Sequence, residues 1–511
     1  MKIISTGQTQ WQNKHQIFTE DIKAMYIAGN DADMDALDSY NDATTALQKM
    51  IGAAKQSGMP FRSLGAGWSW TKIATANNGT MLDTKQLNTT LSLTAASVNK
   101  AYNGDIKKLI FAQCGNGVWE LSKELRPKAL SLKTSGASNG QTIVGAMSTS
   151  AHGSSIDVGA IPDYVIGMHI ITGPDKHIWL ERKLAPVVTT SFIKKLNTTL
   201  VQDDALFNAA LVSFGSFGFI HGVLLETDDL FLMETYMRRM PYDDTLKALM
   251  ATLDFSNATL PCGNERPFHF SVTINPYDLD KGAYVSTFYK RPYRDDYIRP
   301  VANAAGVGPG DDAPCFIGNL TAAIPALVPV LVNKLLADAF QPYEKQFGTL
   351  GEIFNNTTLH GKLLSAAIGI PLNQVSRVTE LLFEINKSDG PFVGLFAYRF
   401  IKKCKATLGF QRFDATCILE LDAAYSDATK SFYTAVWNRL DQEQIPFTFH
   451  WGKMNELNFD RISRMYGKDA DAWIAARNKL LAPDNFKVFT NPIPMGALGK
   501  SLIWPRISEH I

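Results

Sequence analysis

The chain has few cysteines, almost no net charge and no unbroken apolar run, and each shortage excludes a class of protein. Five cysteines (Cys114, Cys262, Cys315, Cys404 and Cys417) are an odd, widely spaced set among 511 residues. They give neither a disulfide framework nor the C-x-x-C spacing of a metal site, so buried, reduced thiols and no bound metal are expected. Lys+Arg 50 against Asp+Glu 49 leaves a net charge of +1, which carries no electrostatic footprint for nucleic acid or an anionic membrane surface. The most apolar segment, Ala322 to Phe340, is broken by Pro325 and Pro329 and contains Asn333 and Lys334. No membrane span is expected from it. The opening residues, MKIISTGQTQWQNKHQ, have neither an apolar core of signal-peptide length nor a small-residue cleavage pattern, so a cytoplasmic location is expected. Asn-x-Ser/Thr sequons at Asn88, Asn197 and Asn356 carry little weight without an export signal.

What is present is a globular composition, 45% hydrophobic and 19% charged, with length for two or three core-forming units. The organising stretch is Ser131 to Ser155, SLKTSGASNGQTIVGAMSTSAHGSS, which has no charged residue after Lys133 until Asp157. Glycines and small hydroxyls at this density offer bare backbone N–H groups and close approach, which suits a phosphate or a flat ring. Ile143, Val144 and Met147 interrupt it, so it reads as packed and not as a flexible linker.

Two further small-residue loops flank it. The spacing of Leu37, Ala43, Leu47 and Ile51 predicts a helix from Asp35 to Gln56, which feeds a short strand and then the turn Ser63-Leu64-Gly65-Ala66-Gly67-Trp68-Ser69. A strand over Leu109 to Cys114 and a helix carrying Val118, Leu121 and Leu125 precede the central stretch. Strands at Tyr164 to Thr172 and His177 to Glu181 follow it, and the loop Val212 to Ile220, with Gly215 and Gly218, enters a strand from His221 to Thr227. Farther on, strands are expected at His269 to Ile274, Gly394 to Ile401 and Thr416 to Asp422, with helices near Ser376 to Glu384 and Asp427 to Asp441.

Three loops in this order, with His450-Trp451-Gly452-Lys453 near the C-terminus, resemble the vanillyl-alcohol-oxidase/p-cresol-methylhydroxylase (PCMH-type) flavoprotein superfamily, nearest to its aldonolactone and alditol oxidases. The resemblance is good over residues 35 to 230 and moderate over 445 to 495. It implies an α+β fold with an FAD-binding domain at 1–230, a substrate domain with an antiparallel sheet at 231–445, and a segment 446–511 returning to the FAD domain.

The resemblance also implies roles. FAD would be wrapped by Ser63, Leu64, Gly65, Ala66, Gly67, Trp68 and Ser69 of the first loop. The second loop would contribute Ser135, Gly136, Ala137, Ser138, Gly145, Ser148, Thr149, Ser150, His152 and Gly153, and the third Gly215, Gly218 and Ile220. Trp68 stands where many members carry a histidine bonded to the flavin, and the second loop has no cysteine, so noncovalent FAD is implied. His152 matches the histidine of a T-H-G element and is expected to shape the loop. Ala137, or Gly136 if the loop differs by one residue, matches a position that governs oxygen access. Lys453 and His450 would sit by the flavin and substrate, and Arg399 falls where alditol oxidases carry an E-x-R pair, although Ala397 holds the position of the acid. The implied function is hydride transfer from a substrate C–H, that of an alcohol, sugar or lactone, to flavin, with O2 or another acceptor reoxidising it. A missing acid and an aromatic-rich second domain leave open a larger apolar substrate such as a sterol, phenol or natural-product intermediate, and also a flavin-fold binding protein without turnover.

Overall fold

The computed structural model describes residues 1–300, 327–355, 357 and 362–490. Cys315, Asn356 and residues 322–326 of the apolar segment lie outside the described residues. The remainder of that segment contains the helix Val328–Ala339, and among the described residues no helix is long and apolar enough to cross a membrane.

The helix Ala36–Ser57 shows how local chemistry sets the architecture. The Asp35 carboxylate accepts from the N–H groups of Leu37 and Asp38, and Gly58, at φ 66°, closes the other end on the carbonyls of Ala54 and Lys55. One face buries Ala43, Leu47 and Ile51 against Phe61 and Leu82, while Tyr40 packs on Phe111. The helix is thereby wedged between two sheets. The first has four strands in the order Lys2–Ser5, Ala24–Gly29, Thr80–Gln86, Phe61–Leu64, the last three parallel. The second has six, in the order Thr199–Gln202, His177–Glu181, Val165–Ile171, Phe219–Glu226, Leu109–Gln113, Thr90–Ser92.

A third sheet of eight antiparallel strands runs in the order Tyr343–Gly348, Phe231–Met240, Ala283–Pro292, His269–Ile274, Gly394–Lys402, Ala415–Ala424, Leu363–Pro371, Thr448–Phe449. Its two faces differ sharply because side chains alternate along each strand. Phe270, Phe396, Tyr398 and Phe400 share a core with Leu381, Leu382, Phe432 and Trp437 of the helices Val375–Ser388 and Asp427–Gln442. These four of the domain's aromatic residues are packed beneath helices. The opposite face carries Ser365, Asp422, Glu420, Arg399, Ser271 and Thr273, in neighbouring register.

The chain after this sheet returns to the first two. Helix Lys468–Leu480 packs on Asp204–Leu211, and Phe486–Phe489 packs on Ala36–Ser57 and Phe61–Leu64. The Trp473 indole N–H donates to the carbonyl of Val212 at 2.9 Å. Within the central stretch the chain forms a closed neck: the Thr134 and Ser155 hydroxyls meet at 2.8 Å, and a Cβ on Gly153 would lie 2.3 Å from the Ser135 carbonyl oxygen. Beyond the neck, Ile143–Ser148 forms a short helix whose Thr142 hydroxyl accepts from the Gly145 N–H at 3.3 Å.

Candidate active site

The three loops converge on one groove. Ser63, Gly65 and Ser69 come from the first, Thr142, Gly145, Ser148 and Thr149 from the second, and Ser213, Gly215, Gly218 and Ile220 from the third. The groove continues past Leu64, Ala66, Gly67, Trp68 and Trp70 to His450, Gly452 and Lys453. Glycine is required at several points: a Cβ on Gly65 would sit 2.3 Å from the Thr142 hydroxyl, and Gly215 and Gly218 hold φ of +67° and +116°. Among the described residues, no Asp or Glu lines either part. The Trp68 indole N–H lies buried on the wall with no partner among the described residues. A narrow groove of backbone, small hydroxyls and one orphaned donor, free of acids, fits a dinucleotide with an anionic bridge.

At the Lys453 end lies a buried line of charge. Glu420 accepts from Arg399 Nε at 2.6 Å on one carboxylate oxygen and from Lys453 Nζ at 2.8 Å on the other. All three side chains are nearly inaccessible. Burial alone would raise the Glu420 pKa, but the two cations, with a smaller contribution from His152, hold it well below the usual carboxylate range. The acid absent at Ala397 is thus supplied from the neighbouring strand, where Glu420 is the direct cross-strand partner of Ala397. Arg399 is not without a carboxylate.

Histidines pack around this line and are kept neutral. His450 lies 5.9 Å from His152 between ring centroids, and its Nδ1 accepts from the Gly452 N–H at 3.0 Å, leaving Nε2 as the protonated nitrogen. Burial, helped by His152 and Lys453, pushes the His450 pKa well below its ordinary value. Burial likewise lowers His152 to about 4. His15, from the N-terminal segment, stacks on Trp70 at 3.7 Å and bonds the Trp68 carbonyl at 2.8 Å. Its pKa falls to about 3, chiefly through burial.

Not every expected residue faces the groove. Ser135, Gly136, Ala137 and Ser138 are absent from its lining: they belong to the neck of the central stretch, with Ser135 bonded to Asn139 at 3.2 Å and Ala137 in the hydrophobic core. Ser150 is tied to Gln411 at 2.7 Å, and His152 contacts Phe410 and the carbonyl of Gly153. These three residues, Ser150, His152 and Gly153, join the loop to the charged end. Sequence reasoning missed Glu420, Trp70, His15 and Arg62. For Glu420 a signal existed, since Glu420 and Asp422 are acids two apart in an otherwise apolar strand. His15 left none.

Residues 42–180 match the family described as "FAD binding domain". L-gulono-1,4-lactone dehydrogenase of Mycobacterium tuberculosis is 25% identical over 231 residues, which span 45% of this chain and 44% of that protein, less than half its length. L-gulonolactone oxidase 3 of Arabidopsis thaliana is 23% identical over 440 residues, covering 75% of this chain and 68% of that one. Among solved structures, cholesterol oxidase from B. sterolicum superposes with a TM-score of 0.69 over 98% of this chain and 97% of its own, at 14% identity. That similarity speaks to the fold alone. Residues 42–180 thus match an FAD-binding domain, the chain is similar in sequence to lactone dehydrogenases and oxidases of the aldonolactone side of the PCMH-type flavoproteins, and it shares its fold with a cholesterol oxidase.

Proposed function

We propose that the protein is an FAD-dependent oxidoreductase acting on a CH–OH group of a small, polar, hydroxylated molecule such as a sugar or sugar lactone. The observation that carries this reading is the buried Arg399–Glu420–Lys453 line at the end of the dinucleotide groove. FAD supplies the hydride acceptor when bound. The protein's part is to orient and polarise. Lys453 and Arg399 present cationic donors to a substrate oxygen and stabilise negative charge developing beside them. Glu420 keeps both cations in place and accepts from a substrate hydroxyl. His450, held neutral with its proton on Nε2, is available as a donor at the same end of the groove. The groove loops hold the cofactor without a covalent bond, since Trp68 has no nucleophilic nitrogen to offer.

The charged line at this end favours a hydroxylated substrate over a sterol, since it offers donors and an acceptor that a hydrocarbon cannot use. The boundaries 1–230, 231–445 and 446–511 belong to the same proposal, the first and last holding FAD and the middle one the substrate. So do O2 or another acceptor as oxidant and a cytoplasmic location, the latter supported by the four free cysteines among the described residues. The test is purification of the yellow protein and anaerobic addition of aldonolactones, alditols and a sterol. Bleaching by a lactone or alditol supports the reading. A protein that never takes up FAD, or that no hydroxylated compound bleaches, refutes it.

A further inference from the structure

Two arginines lie in the interior beside the groove with no carboxylate to neutralise them among the described residues. Arg62, 4% exposed, lines the groove from the strand Phe61–Leu64. It donates to the carbonyls of Gly215 at 3.0 Å, Ile73 at 2.8 Å and Phe489 at 3.4 Å, and to that of Phe214. Arg477, 1% exposed, comes from the helix Lys468–Leu480. Its Nε donates to Ser216 O at 2.8 Å, and Nη2 reaches Phe486 O and the Thr490 hydroxyl. The carbonyls of three successive residues of the third loop are therefore drawn toward two guanidinium groups. The turn they hold is an unusual one, with Phe214 and Gly215 both at positive φ, +52° and +67°, and a Cβ at Gly215 would lie 3.1 Å from Arg62 Nη2.

Neutral carbonyls satisfy the N–H groups of a guanidinium but leave its charge uncompensated. An isolated charge in a dry interior is expensive, and here two of the same sign repel each other, so that burial and then Arg477 lower the Arg62 pKa to about 10. Both remain charged at neutral pH. Among the described residues the adjoining groove is lined by no acid, while the cofactor that belongs in it carries a diphosphate bridge.

We propose that Arg62 and Arg477 form the buried counter-charge for the diphosphate of FAD, acting through space and through the third loop whose carbonyls they fix. They are positioning residues, since their own donors are already engaged by the main chain. Cofactor binding then completes a charge balance that the folded chain leaves open. The inference concerns FAD binding and does not depend on the substrate.

Arg477 is the cleaner residue to change, because it holds a single carbonyl of the loop. The dissociation constant for FAD is measured by ultrafiltration for wild type, Arg477→Lys and Arg477→Met, together with competition by ADP, which has the diphosphate and lacks the flavin ring. Arg477→Met is expected to weaken FAD and ADP by the same factor, roughly 10-fold for the loss of one unit charge acting through space at an effective dielectric of about 20, and Arg477→Lys by a few-fold at most. Arg477→Gln, which keeps a donor for Ser216 O, replaces the methionine variant if that does not fold. Unchanged affinities in the neutral variant, a loss for FAD without a loss for ADP, or equal losses in the lysine and neutral variants would each overturn the proposal.

Discussion

Ala397 and Glu420 face each other across the strand pair Gly394–Lys402 and Ala415–Ala424. The carboxylate that an E-x-R pair would place two residues before Arg399 is found one strand away, and it still meets Arg399, at 2.6 Å. A direct cross-strand pair has Cβ atoms about 4.5–5.5 Å apart, so one glutamate can reach the same cations from either strand.

Relocation predicts rescue. Glu420→Ala leaves two buried cations uncompensated, and turnover is expected to fall by about 10²-fold, with a stability loss of about 3–5 kcal/mol. The double variant Ala397→Glu, Glu420→Ala restores a carboxylate from the other strand and should recover most of both. Thermal unfolding and steady-state rates of the three variants check this, and a double variant no better than Glu420→Ala counts against it.

Lys453 is expected to contribute to turnover and Arg399 chiefly to substrate affinity. Lys453→Met should lower kcat by about 10²-fold, as loss of one well-placed electrostatic stabiliser does. Arg399→Lys should raise KM with a smaller change in kcat, because a compact ammonium replaces a planar donor pair. Equal effects of the two on kcat and KM would show that the line acts as one unit.

Acid should destabilise the fold through its buried histidines. Burial lowers His15 and His221 to about 3 and His152 to about 4. With folded values below the ordinary 6.5, the unfolded chain binds more protons below that pH, so stability is full above about 6.5 and is lost as pH falls toward 4. Each such histidine contributes a slope of up to about 1.4 kcal/mol per pH unit. Urea midpoints between pH 7 and pH 4.5 measure the slope, and a flat profile would contradict the neutral buried state.

Denaturation should release the cofactor entirely. Trp68, which the resemblance matches to a flavin-bonding histidine of other members, lines the groove, so acid precipitation is expected to leave a colourless pellet and a yellow supernatant. Colour kept in the pellet would indicate attachment through another side chain.

Much of the architecture is written locally. Asp35, the apolar positions of Ala36–Ser57 and Gly58 define that helix by capping and period alone, and the glycines of the three loops announce a groove because no other residue can adopt those turns. What is not local was not legible. The acids Glu420 and Asp422, two apart in an apolar strand, mark a polar face, but which cations Glu420 meets is set by strand register. His15 arrives from a segment without a motif. The helix Ile143–Ser148 is masked by a composition of glycine and hydroxyl residues. The second domain's wealth of aromatic residues left a larger apolar substrate open, and the alternation of its strands shows that Phe270, Phe396, Tyr398 and Phe400 turn to the helices.

The central claim is that a C–H bond beside a hydroxyl is broken at the Lys453 end of the groove. Its most direct test is the anaerobic bleaching rate of the holo-protein with a sugar lactone or alditol, protiated and deuterated at the CH–OH carbon. Bleaching with a several-fold slower rate for the deuterated compound is the predicted result. Bleaching by none of the sugar lactones and alditols would contradict the account.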